Sequence, residues 1–216
     1  MANSSQIPCI YVLAGANGAG KSSIGGAIFR QKGGEYFNPD EATRRIILAN
    51  PSITRERANG AAWNEGKRLL ERAIHERRTF AFETTLGGRT IATLLEKALS
   101  LGMEVRVWYV GLESPELHIA RVRSRVRSGG HDIPEAKIRE RYVQSRWNLI
   151  HLLPKLTEVI VYDNSEEGDP RSGSTPKPKL ILHAVKGKTA AMCRLKQAPN
   201  WAKPILMAVL NASGKE

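Results

Sequence analysis

Short apolar, β-branched runs alternate along this chain with longer stretches of helical periodicity, and that alternation predicts a mainly parallel sheet with crossover helices. Ile10 to Leu13 predicts the first strand and Ser22 to Gln31 the first helix. Glu35 to Asn38 is a short extended piece. It ends in Asn38-Pro39-Asp40-Glu41, a plausible helix start with Asn38 as cap, Pro39 in the first position and Glu41 three residues on. That helix runs to about Ala49, Pro51 breaks it, and Thr54 to Arg77 resumes with Ala58, Ala61, Ala62, Leu69 and Ala73 available for packing. Thr79 to Thr85, reading TFAFETT, predicts a buried strand. Thr90 to Leu101 predicts a helix closed by Gly102, and Glu104 to Val110 the next strand. Ser114 caps a helix reaching Arg127, a turn covers Ser128 to Pro134, a second helix runs from Glu135 to Leu153, and Val159 to Ser165 is the last core strand.

Beyond it, Glu166 to Lys179 is rich in Gly, Pro and Ser and reads as a loop. Leu180 to Val185 then predicts an edge or hairpin strand, with His183 on a strand face. Asn200 to Ala212 predicts a terminal helix with Trp201, Ile205, Leu206 and Val209 as an apolar stripe and Pro204 in its first turn. The expected domains are a core over 1–165 that includes a lid at about 121–146, and a linker with a C-terminal strand and helix over 166–216, packed on the core.

The polar positions at the ends of these apolar runs carry the chemistry. After the first strand the chain reads Gly15-Ala16-Asn17-Gly18-Ala19-Gly20-Lys21-Ser22-Ser23, the phosphate-loop spacing between a strand and a helix. Glycines let backbone N–H groups converge on a β-phosphate, the helix offers its positive end, Lys21 reaches the β and γ oxygens, and Ser22 would ligate Mg²⁺. ATP or GTP is the expected ligand. Glu83 and Thr85 end their strand on the same sheet edge, where ligand crevices of open α/β sheets lie. Asp40 has two readings, a helix-start residue or a group facing the γ-phosphate. Asp163 closes its strand as a candidate Walker-B-type metal ligand, with Asn164 expected near the adenine.

Charge sharpens this picture. The formal net charge is +12, and it is uneven. From Ile119 to Arg146 eight Lys/Arg stand against three acids, and from Arg171 to Glu216 nine stand against one. Arg121, Arg123, Arg125 and Arg127 recur at every second residue, which on a helix splits them over two faces. Two arginine-bearing helices around a glycine turn suggest a lid over phosphates; a charged surface hairpin is the bland alternative. Aromatic residues make up only 6% of the chain and do not interleave with the cations, so a nucleic-acid stacking platform is not expected. Met1 to Pro8 lacks a signal-peptide pattern and no apolar run approaches the ~18 residues of a membrane span, so a cytoplasmic protein without membrane contact is expected. Cys9 and Cys193 lack metal-type spacing and read as reduced thiols.

Taken together, GANGAGKS, Asn38-Pro39-Asp40, FETT at 82–85, RSGGHDIP at 127–134, IRERY at 138–142 and YDNS at 162–165 resemble the zeta-toxin family of P-loop kinases, in order, from Ile7 to Ser165. The match looks closest to the compact bacterial branch labelled as predicted ABC-type ATPases. Ser128-Gly129-Gly130 is similar to a transporter signature, but no apolar strand ending in Asp-Glu follows it. The resemblance implies a P-loop NTPase-type three-layer fold and ATP- and Mg²⁺-dependent phosphorylation of a nucleotide-activated sugar, UDP-N-acetylglucosamine in founding members, with an antitoxin as possible partner. It implies that Asp40 accepts the hydroxyl proton, that Glu83 and Thr85 hold the sugar, and that Arg127 and Arg141 contact phosphate. Founding members read Glu-Gly-Thr where this chain has Glu83-Thr84-Thr85, which leaves the acceptor open. A kinase of another small alcohol or nucleotide, or an ATP-driven nucleic-acid module using the basic tail, are the alternatives.

Overall fold

The computed structural model describes residues 7–21, 35–130, 132–166 and 177–213. Its elements are β1 (Cys9–Ala14), β2 (Glu35–Phe37), α1 (Pro39–Ala49), α2 (Arg55–His75), β3 (Phe80–Thr84), α3 (Arg89–Ser100), β4 (Glu104–Gly111), α4 (Pro115–Arg127), α5 (Glu135–Leu152), β5 (Glu158–Asp163), β6 (Lys179–Val185), β7 (Lys188–Met192) and α6 (Lys203–Ser213). The helix expected over Ser22 to Gln31 lies outside the described residues, as does most of the loop expected after Glu166.

The strands form one seven-stranded sheet in the order β2-β3-β1-β4-β5-β6-β7. β2 to β5 pair in parallel, while β6 runs antiparallel to β5 and β7 antiparallel to β6. The register sets the site. Phe37 pairs with Phe82 and Leu13 with Glu83, so Asn38, Glu83 and Gly15 leave three neighbouring strands at nearly the same height. Polar residues at successive carboxyl ends are thereby gathered on one rim.

Buried alternate residues of the strands explain the main core. Ile10 and Val12 of β1, Phe80 and Phe82 of β3, Val105 and Val107 of β4 and Val159 and Val161 of β5 share one cluster with helix residues such as Leu70, Leu95, Leu149 and Leu206. The opposite face carries a smaller cluster of Leu13, Ala19, Ala81 and Val110. A third, built from Ile119, Val122, Ile133 and Ile138, joins α4 to α5. The hairpin of arginine-bearing helices therefore has an apolar seam of its own, strapped by the Arg139–Glu116 pair at 2.6 Å and by Arg123–Glu135.

Both sequence-predicted caps form. The Asn38 side chain accepts from the N–H groups of Asp40 (2.8 Å) and Glu41 (3.2 Å), and Ser114 accepts from that of Leu117 (3.2 Å).

In the C-terminal unit the hairpin alternative holds, β6 pairing antiparallel with β7 across the two-residue turn 186–187, while the edge alternative and the start of the last helix differ from expectation. β6 lies inside the sheet, because the weakly apolar KTAAM segment forms β7 beside it. The last helix starts at Lys203 and not at Asn200, since turn bonds from Ala202 N–H to the Pro199 carbonyl (3.0 Å) and from Ile205 N–H to the Ala202 carbonyl (3.0 Å) occupy the preceding stretch. Trp201 thus sits in a turn, fully buried against the end of β4. At Gly111 an added Cβ would lie 2.3 Å from its ring, so no side chain fits at that position. Trp201, Ile205, Leu206 and Val209 belong to the same core cluster as the parallel strands.

Candidate active site

The glycine loop follows β1 directly. Gly15 has φ 141°, and a Cβ there would meet the Val110 carbonyl oxygen at 2.2 Å, so the tight passage over β4 requires glycine. Lys21 closes the loop, and its Nζ donates to the Gly15 carbonyl at 2.9 Å. Burial lowers the pKa of this ammonium, opposed by the carboxylates of Glu83 and Asp40 and reinforced by Arg125 and Arg141. A desolvated lysine folded over a backbone cradle that leaves no room for side chains fits the polyphosphate of a nucleotide. Ser22 and Ser23, expected at the metal and phosphate, lie outside the described residues.

Glu83 is nearly fully buried at the end of β3. One of its oxygens accepts from the Tyr36 hydroxyl and from Asn38 Nδ2 at 3.0 Å. Asn38 therefore does two things at once: its oxygen caps α1 and its amide orients Glu83. Burial, and then the hydrogen bond to Glu83, push the Tyr36 phenol well above its usual pKa, so it stays a donor. Thr85 lies two residues beyond Glu83, its hydroxyl accepting from Gly87 N–H at 3.4 Å. Thr84 accepts from Leu86 N–H at 3.0 Å, and the carbonyl of Leu86 takes Asn148 Nδ2 at 2.7 Å. Helix α5 thus grips the loop that carries Thr84 and Thr85.

Asp40 stands on the first turn of α1, exposed, with Arg125 Nη1 at 3.5 Å from its Oδ2. At this exposure and distance the pair contributes little to stability. Arg141 reaches into the loop itself, its Nη1 donating to Asn17 Oδ1 at 2.8 Å. One cavity of about 480 Å³ joins these groups: Asn17 and Lys21 border it on one side, Asp40, Glu83 and Thr85 on another, and Phe37 and Trp63 supply apolar wall.

Not every sequence-predicted residue arrives there. The chain does split its alternating arginines over two faces, but Arg125 and Arg121 occupy the inner one. Arg121 bonds the carbonyl of Glu166 at 3.2 Å. Arg127 is exposed and borders a separate cavity of about 350 Å³ between α4 and α5, because two residues along a helix turn it by roughly 200° from Arg125. The arginine beside Asp40 is Arg125. Asp163, the expected Walker-B-type ligand, closes β5 with one of its two carboxylate oxygens engaged by protein donors. Its Oδ1 accepts from Trp201 Nε1 at 2.9 Å and from the Ser165 hydroxyl at 2.5 Å. Asn164 bonds the loop backbone, Nδ2 to the Ala19 carbonyl at 2.9 Å.

Sequence reasoning passed over Tyr36, His118, Arg125 and Asn148. Only Arg125 had a signal, its place in the alternating run; the others hold Glu83, Asn17 and Leu86 through pairings that no spacing announces.

A glycine loop closed by lysine after a parallel strand, with Glu83 at the end of β3 and Asp40 on the first turn of α1 along the same rim, defines a P-loop kinase fold. The family model described as Zeta toxin matches residues 2–168, and the chain belongs to that family. An uncharacterized protein of Haemophilus influenzae is 32% identical over 129 residues, covering 59% of this chain and 88% of that protein. Among solved structures, the AvrRxo1-ORF1:-ORF2 complex with ATP is similar at a TM-score of 0.65 and 13% identity, covering 95% of this chain and 64% of that one. The PezAT toxin-antitoxin system of Streptococcus pneumoniae is similar at 0.52 and 17% identity, covering 81% and 75%. At these identities the two structures show the fold alone. This chain spans about two thirds of the AvrRxo1 chain, 64% of its length. Among the described residues no helix is long and apolar enough to cross a membrane.

Proposed function

We propose that this protein transfers the γ-phosphate of ATP to a hydroxyl of a nucleotide-activated sugar such as UDP-N-acetylglucosamine. The observation that carries the reading is the single cavity in which a phosphate-loop lysine and Asn17 face Asp40, Glu83 and Thr85. Phosphoryl transfer needs positioned groups and cations more than covalent help, and those parts are gathered here. The backbone from Gly15 to Gly20 holds the β- and γ-phosphates with Lys21. Ser22 would hold Mg²⁺, which when bound neutralises phosphate charge. Glu83, fixed by Tyr36 and Asn38, and Thr85 receive hydroxyls of the acceptor. Asp40 takes the proton as the acceptor oxygen forms its bond to the γ-phosphorus. The bond from that phosphorus to the β,γ-bridging oxygen breaks, and ADP leaves with the electron pair. Arg125 and Arg141 face the charge that develops.

The similarity to the PezAT toxin-antitoxin system supports a further part of the reading, that an antitoxin protein holds this enzyme in check. Thr84 favours a second acceptor class. Where founding relatives have glycine, its side chain borders the cavity, and a different small alcohol would fit the altered wall. Incubation with ATP, Mg²⁺ and either UDP-N-acetylglucosamine or a bacterial metabolite extract, read by mass spectrometry, tests both. Gain of one phosphate on the sugar nucleotide is expected. Gain on another alcohol alone would overturn the sugar assignment, and no acceptor-dependent transfer in either sample would overturn the kinase reading.

A further inference from the structure

We propose that His118 is a positioning residue that sets the backbone of the phosphate loop for nucleotide. The proposal rests on the nucleotide-binding part of the reading above and not on the acceptor.

His118 lies on α4 with 1% of its surface exposed, and its Nδ1 is 2.6 Å from the carbonyl oxygen of Asn17. A carbonyl only accepts, so Nδ1 carries the hydrogen in this bond. Burial holds the imidazole neutral by lowering its pKa to about 4, against the raising effect of the Asn17 carbonyl; Lys21, Arg121 and Arg146 lower it further. The contact is doubled one residue on, where a Cβ at Gly18 would sit 2.7 Å from the carbonyl oxygen of His118. Helix α4 therefore grips two successive residues of the loop.

The consequence follows from peptide planarity. The Asn17 carbonyl and the Gly18 N–H belong to one rigid trans unit and point in opposite directions. Pinning the oxygen on α4 turns that N–H away from α4. A loop peptide free to flip would present a carbonyl where an anion needs a donor. The side chain of Asn17 is held independently by Arg141 from α5, so both helices of the arginine-bearing hairpin fasten this one loop residue.

The imidazole is itself wedged. Its ring meets that of Tyr142 edge-on, with centroids 5.5 Å apart. The Arg146 guanidinium lies 4.2 Å over the Tyr142 ring and donates to the Trp201 carbonyl at 3.3 Å, while Trp201 donates to Asp163. A buried histidine needing only a partner would be content with any acceptor. This one is aimed by a stack that begins in the C-terminal unit and ends on the phosphate loop.

The test compares His118→Asn, His118→Gln and His118→Leu by calorimetric binding of a non-hydrolysable ATP analogue with Mg²⁺, alongside melting temperature. The Asn amide nitrogen stands where Nδ1 does, and the Gln nitrogen where Nε2 does. We expect His118→Asn to bind within about threefold of the wild type, and His118→Gln and His118→Leu to bind about tenfold or more weakly, the range for an orphaned buried carbonyl. If His118→Leu fails to fold, the Asn and Gln variants decide between themselves. Equal affinities in those two, or wild-type affinity in a folded His118→Leu, would overturn the proposal. Failure of the wild type to bind the analogue would instead overturn the nucleotide reading on which it rests.

Discussion

The rim of the parallel strands and the C-terminal unit contribute to one sheet by opposite means. The rim carries nearly every recognisable motif and is held by polar contacts: Tyr36 and Asn38 on Glu83, Arg141 on Asn17, Asn164 on Ala19, Asn148 on Leu86. The C-terminal unit carries no motif and lies beyond the family match at 168. It supplies buried apolar surface through Leu182, Trp201, Ile205, Leu206 and Val209. Among the described residues the C-terminal unit packs into the core beneath the rim and lines no part of the cavity.

The comparison can be broken first at Lys21. Lys21→Ala is expected to cut phosphoryl transfer by more than ~10³-fold, because the main cation on the transferred group is lost. The melting temperature should barely move, and a variant that turns over normally would remove Lys21 from the site. Asp40→Asn should lower turnover by roughly 10²–10⁴-fold, the range of general-base assistance, with ATP affinity retained. Its stability cost is the loss of a helix-dipole charge, about 0.3–1 kcal/mol, since the Asn38 cap remains. Wild-type turnover in this variant would leave Asp40 as a helix-start residue.

Trp201→Ala probes the other side of the comparison. Removing a fully buried indole that fills the space over Gly111 should cost about 3–5 kcal/mol in denaturant unfolding, and a loss under about 1 kcal/mol would show the unit to be peripheral.

Acid sharpens the point where the two regions meet. His118 titrates near its ordinary value of about 6.5 in the unfolded chain and at about 4 in the folded one. The unfolded chain therefore binds the proton first. Stability is full above about pH 6.5 and falls as pH drops toward 4, by up to about 3 kcal/mol. His118→Asn should lack this segment of the pH profile, and an unchanged profile would assign the loss to other groups. The smallest effect is expected at Arg127, whose exposed side chain faces away from the cavity: Arg127→Ala should change turnover less than about twofold and stability by less than about 0.5 kcal/mol, while Arg125→Ala lowers turnover measurably. Equal effects of the two would return Arg127 to the site.

The sequence by itself determined the alternation of strands and helices, the phosphate loop, the Asn38 and Ser114 caps and the family. Each of these is written in local spacing: a period of two or of about 3.6, a glycine count, a cap followed by proline. It also determined that the arginines of α4 occupy two faces. Which face turns inward was decided by packing, because the seam of Ile119, Val122 and Ile138 fixes the rotation of α4 against α5 and carries Arg125 in and Arg127 out. β7 escaped notice since Lys-Thr-Ala-Ala-Met has no apolar alternation, and becomes a strand only because β6 offers it an edge. Tyr36, His118 and Asn148 gain their roles from partners 47, 101 and 62 residues away. Proximity across such separations is created by sheet order and helix docking, neither of which leaves a periodic trace along the chain.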